Sequence, residues 1–392
     1  MSISGIQKAA EVEFSFHLPT LIEFGIGKAS LLGEMLLKLG IKNVFLVSDK
    51  GVESAGILQK LTETLQASNI HATTYLEVEP DPGLETINRG AEVFLSSDYD
   101  CIVAVGGGSA IDTAKGIRIV ASNGGSIGDY AGIDKIRTTP STPLVAIPTT
   151  SGTGSEVTIF GVYSDWLKNV KVTVTSQHMA PTIALVDPQL TINLPRTMTA
   201  ASGIDALAHG IESYFSIRSR PASAALSLEA IGIVAAHLRR SVKNGKDEEA
   251  RCGMSHGSLL AGMAFNNGFL GLAHAIGSAL SGHCHVPHGV AIGLLLPHVV
   301  EFNSSMRPDK ASKIAELLGE KADNEEQLAV RASYAVAKLV EDIGLPTRLR
   351  DVNVPEEKLT FIARDSFQSG MMKFNPRRAS ESEVLELLKR VY

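Results

Sequence analysis

The chain has 392 residues, 44% hydrophobic and 20% charged, with 36 glycines, which is the composition of a globular enzyme with ample apolar material for a core and excludes a disordered or fibrous chain. At this length two domains, or one with a deep cleft, are expected. A net charge of −6, with no basic run interleaved with aromatics, argues against a nucleic-acid partner. Cys101, Cys252 and Cys284 lie far apart without a CxxC, so no disulfide framework is encoded. MSISGIQKAAEVEF has no apolar h-region, and the longest apolar run, VAIGLLLPHVV, is short and interrupted by Pro297 and His298; a cytoplasmic protein without a membrane partner is expected.

In chain order, VEFSFHLPTLIEFG (12–25) alternates apolar and polar side chains and predicts edge β-structure. NVFLVSD (43–49), CIVAVGGG (101–108), PLVAIPTT (143–150) and TIALVDP (182–188) are continuously apolar. That pattern predicts parallel strands buried on both faces of a doubly wound sheet, joined by crossover helices. After CIVAV come Gly106, Gly107 and Gly108, then a helix predicted to open at Ser109 with Asp112 as its capping-box partner. A strand, a glycine turn and a helix N-terminus make an anion site, because glycine lets the backbone approach and free N–H groups face a phosphate. The run is no GxGxxG, since residue 111 is isoleucine, and the acidic residue expected after such a run stands before it, at Asp49. A second glycine- and hydroxyl-rich turn, Thr149 to Glu156, also follows an apolar strand. Two such turns at strand C-termini define a ligand crevice.

From about residue 191 the period becomes helical and strand signal nearly vanishes, with Pro181, Pro188 and Pro195 marking the change. The expected division is an α/β domain over 1–190 and a helical domain over 191–392. In GIDALAHGIES, Asp205 and His209 stand at i and i+4 and share a helix face. Such a pair is, taken alone, more often ordinary helix packing than a ligand pair. His274 and His288 lie in a second apolar segment, with SGHCHVP offering a turn between them. One carboxylate and three imidazoles in apolar surroundings suit a borderline divalent ion such as Fe(II) or Zn(II) rather than Mg(II) or Ca(II).

Taken together, GGGSAIDTAK, IPTTSGTGSEVT, ALVDP, GIDALAHGIESY, AGMAFNNGFLGLAHAIG, VPHGVAIGLLLPHV and the late NPR at 375–377 resemble the iron-containing (group III) alcohol dehydrogenase family, in order and spacing over nearly the whole chain. The resemblance implies an α/β dinucleotide-binding domain and an all-α metal-binding domain with the active site between them, the dehydroquinate synthase-like fold. It implies metal ligation by Asp205, His209, His274 and His288, and a pyrophosphate loop at Gly106, Gly107, Gly108 and Ser109. It further implies cofactor contacts from Thr149, Thr150 and Thr153, and a substrate-side aromatic at Phe265. Asp49 falls where the family places an acid near the adenosine ribose, and a carboxylate there favours NAD over NADP. The implied activity is NAD(H)-linked, metal-dependent hydride transfer between a nicotinamide and a small primary alcohol or aldehyde, in a homodimer or higher homo-oligomer.

Two positions depart from the family pattern. Ser278 stands where many relatives carry a second histidine that helps move protons, which leaves Ser278 with water, His283 or His285 as the relay. Phe160 replaces a small amide found in several diol-reducing relatives, implying a less polar substrate pocket. Rival expectations are a zinc-type glycerol dehydrogenase-like polyol oxidoreductase, a hydroxyacid–oxoacid transhydrogenase, and a non-catalytic nucleotide-binding subunit that keeps the fold.

Overall fold

The computed structural model describes residues 13–168 and 170–392. Its strands are β1 (Leu21–Phe24), β2 (Asn43–Val47), β3 (His71–Tyr75), β4 (Cys101–Gly106), β5 (Gly132–Ile133), β6 (Leu144–Pro148), β7 (Phe160–Asp165), β8 (Val170–Thr175) and β9 (Ile183–Val186). Six of them form one parallel sheet in the order β1-β9-β6-β4-β2-β3. The other three make a small sheet, β5-β8-β7, in which β7 and β8 are an antiparallel hairpin. The helices of the first half are α1 (Leu32–Lys38), α2 (Lys50–Ser54), α3 (Ile57–Ala67), α4 (Leu84–Leu95) and α5 (Gly108–Asn123).

The continuously apolar strands fill the middle of the large sheet because both of its faces are covered. Val44, Leu46, Val103, Val105, Val145 and Ile147 pack on one face with Leu32 and Leu36 of α1 and Leu58, Leu61 and Leu65 of α3. Their neighbours Phe45, Val47, Ile102, Ala104, Leu144 and Ala146 pack on the other face with Ile87 and Ala91 of α4 and Ile111, Ala114 and Ile117 of α5. This period-2 division is what a doubly covered parallel sheet requires.

Past β9 the described chain is helical: α6 (Arg196–Phe215), α7 (Pro221–Lys243), α8 (Glu248–Gly268), α9 (Leu272–Cys284), α10 (His288–Ser304), α11 (Pro308–Leu317), α12 (Glu325–Asp342), α13 (Leu359–Ser366) and α14 (Glu381–Val391). α7 is long and apolar enough to cross a membrane, yet it lies against α6 and α8 with Ile231, Val234 and Leu238 in the helical core.

The edge β-structure expected over 12–25 is shorter than its pattern. Val12 lies outside the described residues, 13–20 form no strand, and only Leu21–Phe24 pair, parallel to β9 at the sheet edge. Pro19 has no N–H to give a ladder. The backbone of His17 is taken instead by two side chains of α8: its N–H donates to Asn267 Oδ1 at 2.7 Å, and its carbonyl accepts from Asn266 and Asn267 at 3.1 Å each.

The loop after β6 joins the two halves. Gly154 has φ +62°, and a Cβ there would stand 2.6 Å from Gly262 Cα in α8; a Cβ on Gly262 would meet Gly154 Cα at 2.9 Å. A Cβ on Gly152 would meet backbone of Ser202 in α6 at 2.7 Å. The loop therefore lies backbone to backbone on both helices. Gly154→Ala is expected to cost about 1–3 kcal/mol through positive φ and overpacking together. Urea unfolding measures this, and an unchanged midpoint would show that the halves separate without strain.

Candidate active site

Residues Asp205, His209 and Glu212 of α6 stand at i, i+4 and i+7, so one stripe of the helix carries all three inward. All three are buried, as is His274 at the start of α9. Glu212 accepts from the backbone N–H groups of Gly271 at 3.1 Å, Ala273 at 2.6 Å and His274 at 3.4 Å, and from His274 Nδ1 at 2.6 Å. It is thus the carboxylate at the N-terminus of α9, neutralising free donors there, and it fixes the face and tautomer of His274. His209 donates from Nδ1 to the Gly152 carbonyl at 3.0 Å, so its Nε2 keeps a free lone pair. His288 opens α10 after the His285–Pro287 turn and brings its Nε2 to 3.6 Å from Asp205 Oδ1.

These side chains suit a divalent ion. One ligand atom each from Asp205, His209 and His274 lie within 4.8 Å of one another. Asp205 Oδ1 is 3.3 Å from His274 Nε2 and 3.7 Å from His209 Nε2, but no hydrogen bond forms. Asp205 Oδ1 and His274 Nε2 are buried without any partner, a costly condition that an ion between them would relieve. Burial raises the Asp205 carboxyl, yet the imidazoles of His209, His288 and His274 outweigh it and hold the group well below the usual carboxylate range. His209 is pushed down to about 4, chiefly by burial. Burial pulls His274 down, but the Asp205 and Glu212 carboxylates beside the ring outweigh it and raise it to about 9, so an ion must displace a proton from that ring.

Across the cleft, the two glycine turns leave adjacent strands, with Gly106 opposite Pro148 in the β4–β6 ladder. A Cβ on Gly107 would stand 3.4 Å from the Thr150 side chain, and one on Gly108 would fall 2.8 Å from Thr153. Thr149 donates its backbone N–H to Gly106 O at 2.9 Å. Asp49 lies just beyond β2 and caps α2, its Oδ1 accepting from Gly51 and Val52 at 2.8 and 3.0 Å. Its other oxygen faces Gly106, 3.5 Å from where a Cβ would sit.

The expected capping box at Ser109 is not formed. Gly107 is the N-cap, α5 starts at Gly108, and no side chain caps it. Asp112 turns away to accept from the Ser155 hydroxyl and, at 2.9 Å, from the Val162 N–H. Lys115, fully buried on the same side of α5, donates to Ser155 Oγ at 2.8 Å and the Phe160 carbonyl at 2.7 Å; burial pushes it down to about 8. The helix N-terminus is left open to the cleft.

Between the halves lies a cavity of about 240 Å³. Gly108, Ser109 and Thr153 line it from one side and Asp205, His209, His288 and Ser278 from the other, with Phe160 and Phe265 beside them. Phe265 stacks on His209 at 4.4 Å between ring centroids and on Phe160 at 5.8 Å. Of the three candidate relay residues, Ser278 faces this space. His283 is instead bonded to Asp365 at 2.8 Å, and His285 is exposed beside Trp166. Sequence reasoning missed Glu212, whose place at i+7 from Asp205 was the available signal. It also missed the Lys171–Asp81 ion pair, 2.6 Å long, at the cavity wall. No pattern announces that pair, because it joins β8 to a loop ninety residues earlier (171 − 81).

A parallel sheet with glycine turns thus faces a buried carboxylate–imidazole cluster across the cavity, an arrangement that suits a phosphate-bearing ligand on one side and a divalent ion on the other. Residues 19–188 match the model of iron-containing alcohol dehydrogenases, and residues 199–392 match that of the Fe-containing alcohol dehydrogenase family, C-terminal. The chain is 39% identical to a 1,3-propanediol dehydrogenase of Citrobacter freundii, covering 97% of this chain and 99% of that one. It is 34% identical to an NAD-dependent methanol dehydrogenase of Bacillus methanolicus, covering 96% and 99%. The solved structure of an alcohol dehydrogenase from Oenococcus oeni superposes with a TM-score of 0.94 at 33% identity, over 97% of this chain and all of that one. The protein belongs to the iron-containing alcohol dehydrogenase family, and its reaction is that of an alcohol dehydrogenase or, in reverse, an aldehyde reductase.

Because Glu212 orients His274 through a charge-assisted bond, Glu212→Gln is expected to weaken divalent-ion binding by about 10–100-fold. Titration of the apoprotein with Fe(II) or Zn(II) under anaerobic conditions reads this directly. Wild-type affinity in the variant would reduce Glu212 to a helix cap.

Proposed function

We propose that the cleft binds NAD on the Gly106–Ser109 turn and the Thr149, Thr150 and Thr153 loop, holds Fe(II) on Asp205, His209, His274 and His288, and interconverts a small primary alcohol and its aldehyde. The observation that carries this reading is the pair of buried, partnerless ligand atoms, Asp205 Oδ1 and His274 Nε2, beside the cavity that the glycine turns also line. When bound, the ion supplies Lewis acidity, and the nicotinamide gives or accepts the hydride.

The chain's own residues do the rest. Gly152 O and Glu212 hold His209 and His274 in the tautomers that leave Nε2 free. Phe160 and Phe265 exclude water from the reacting carbon, and Ser278, the hydroxyl on this wall, passes the alcohol proton toward solvent. The Asp49 oxygen beside Gly106 accepts from a ribose hydroxyl and repels a 2′-phosphate, favouring NAD.

In the same reading residues 1–190 form the cofactor domain and 191–392 the metal domain. The protein acts as a homodimer through the exposed edge at β1, where Leu21 is 58% exposed. Three free thiols suit the reducing cytoplasm.

Metal analysis after anaerobic purification, paired with NAD-linked oxidation of primary alcohols, tests the reading. His274→Ala and His288→Ala are each expected to lose bound metal and alcohol oxidation together while keeping the helical circular dichroism. Full turnover in a variant free of metal would overturn the assignment, and zinc in the active wild type would correct the ion.

Asp49→Asn removes the charge but keeps a good helix cap. The NADP-to-NAD ratio of kcat/KM is expected to rise about 10–100-fold, equivalent to roughly 1–3 kcal/mol, with stability nearly unchanged. A constant ratio would show that the carboxylate serves only α2.

A further inference from the structure

Among the described residues, six other than glycine have positive φ: Asn69, Asp81, Asp134, Phe269, His285 and Asn353. Asparagine, aspartate and histidine tolerate this region; phenylalanine does not. Phe269, at φ 61° and ψ 175°, lies moreover in a part of backbone space that glycine alone ordinarily occupies. It sits in the short turn between α8 and α9, whose axes meet at 101°. That turn is fixed at both ends, by the Phe269 N–H donating to Phe265 O at 2.8 Å and by the Gly271 N–H on Glu212. The turn demands the unusual conformation, and glycine would meet the demand without strain.

What the side chain gains is a place in the cavity wall. Its ring stacks on Phe374 at 4.4 Å and meets Phe160 edge-on at 5.9 Å. Phe160 in turn stacks on Phe265, and Phe265 on His209. An unbroken aromatic run thus leads from a candidate metal ligand to Phe269, flanked by Leu270 and Met371 along the cavity. A hydrocarbon chain attached to a carbon reacting near His209 would lie along these rings. A second hydroxyl on the stretch of chain lying against these rings would find no hydrogen-bond partner among them.

We propose that Phe269 is a specificity-determining residue: its ring, held by strained backbone, closes the end of an apolar substrate channel. The enzyme therefore takes short primary alcohols and aldehydes with apolar chains and turns away long chains and polyols. The proposal rests on the dehydrogenase reading above, and deepens it.

The test compares wild type, Phe269→Gly and Phe269→Ala as metal-loaded enzymes with NAD, using 1-propanol, 1-octanol and 1,3-propanediol. In wild type, 1-propanol is expected to be the best substrate of the three. Phe269→Gly should raise the 1-octanol-to-1-propanol ratio of kcat/KM at least about tenfold. Calorimetric binding of 1-octanol to the same proteins should tighten by a similar factor. Phe269→Ala loses the ring but keeps the strain, so its thermal midpoint should lie below that of Phe269→Gly. An unchanged ratio and unchanged 1-octanol binding, or a preference of wild type for the diol, would overturn the proposal. So would a glycine variant less stable than the alanine one. If no variant oxidises any alcohol while 1-octanol binding still tightens in Phe269→Gly, the channel assignment stands and the dehydrogenase reading falls.

Discussion

Two carboxylates buried on one stripe of α6 set the terms for the helical half. A buried carboxylate without partners would cost several kcal/mol, so each must be met by donors or positive charge. Glu212 is met by the first turn of α9 and by the His274 ring. This one demand decides where α9 begins, which way His274 faces, and how sharply the chain must bend after α8. Asp205 is met by imidazoles alone and keeps an unpartnered oxygen. The first carboxylate is satisfied by the fold itself, and the second keeps an oxygen that the fold does not satisfy.

The same economy joins the two halves. His209 takes its tautomer from the carbonyl of Gly152, which belongs to the loop after β6. That loop also offers Thr153 to the cleft and presses Gly154 onto Gly262 of α8. A candidate ligand on the helical side is therefore oriented by backbone from the α/β side. A displacement of the loop by a bound dinucleotide would be felt at His209 through one hydrogen bond.

The sheet was legible in the sequence because strands buried on both faces must be continuously apolar, as β2, β4, β6 and β9 are. β3, with the sequence HATTY at the sheet edge, gave no such signal, since only one of its residues is buried. The Asp205–His209 pair was legible because helical period alone puts both on one face. His274 and His288 were identifiable by residue type, but their convergence depends on the turn at 285–287 and on Glu212, whose role is set by a helix terminus far along the chain. Asp112 was misread for a related reason. Its distance from Ser109 fits a capping box, but the tertiary partners Ser155 and Val162 compete for the same carboxylate and win.

The division of labour within the cleft follows from backbone rigidity. Groups that must be placed most exactingly, the candidate ligands, project from long helices packed in the core, where side-chain position varies little. Groups that must approach a phosphate are glycines and hydroxyls on loops, where close backbone approach matters more than side-chain reach. An aromatic part of the remaining wall, Phe160 and Phe265, is extended by Phe269 in the bend between α8 and α9 whose far end Glu212 holds. The bend that presents His274 to Asp205 and His209 thus also presents Phe269 to the cavity. Catalytic placement and substrate shape are coupled at a turn, so a change in the pocket that relaxes this turn acts on the ligand geometry as well.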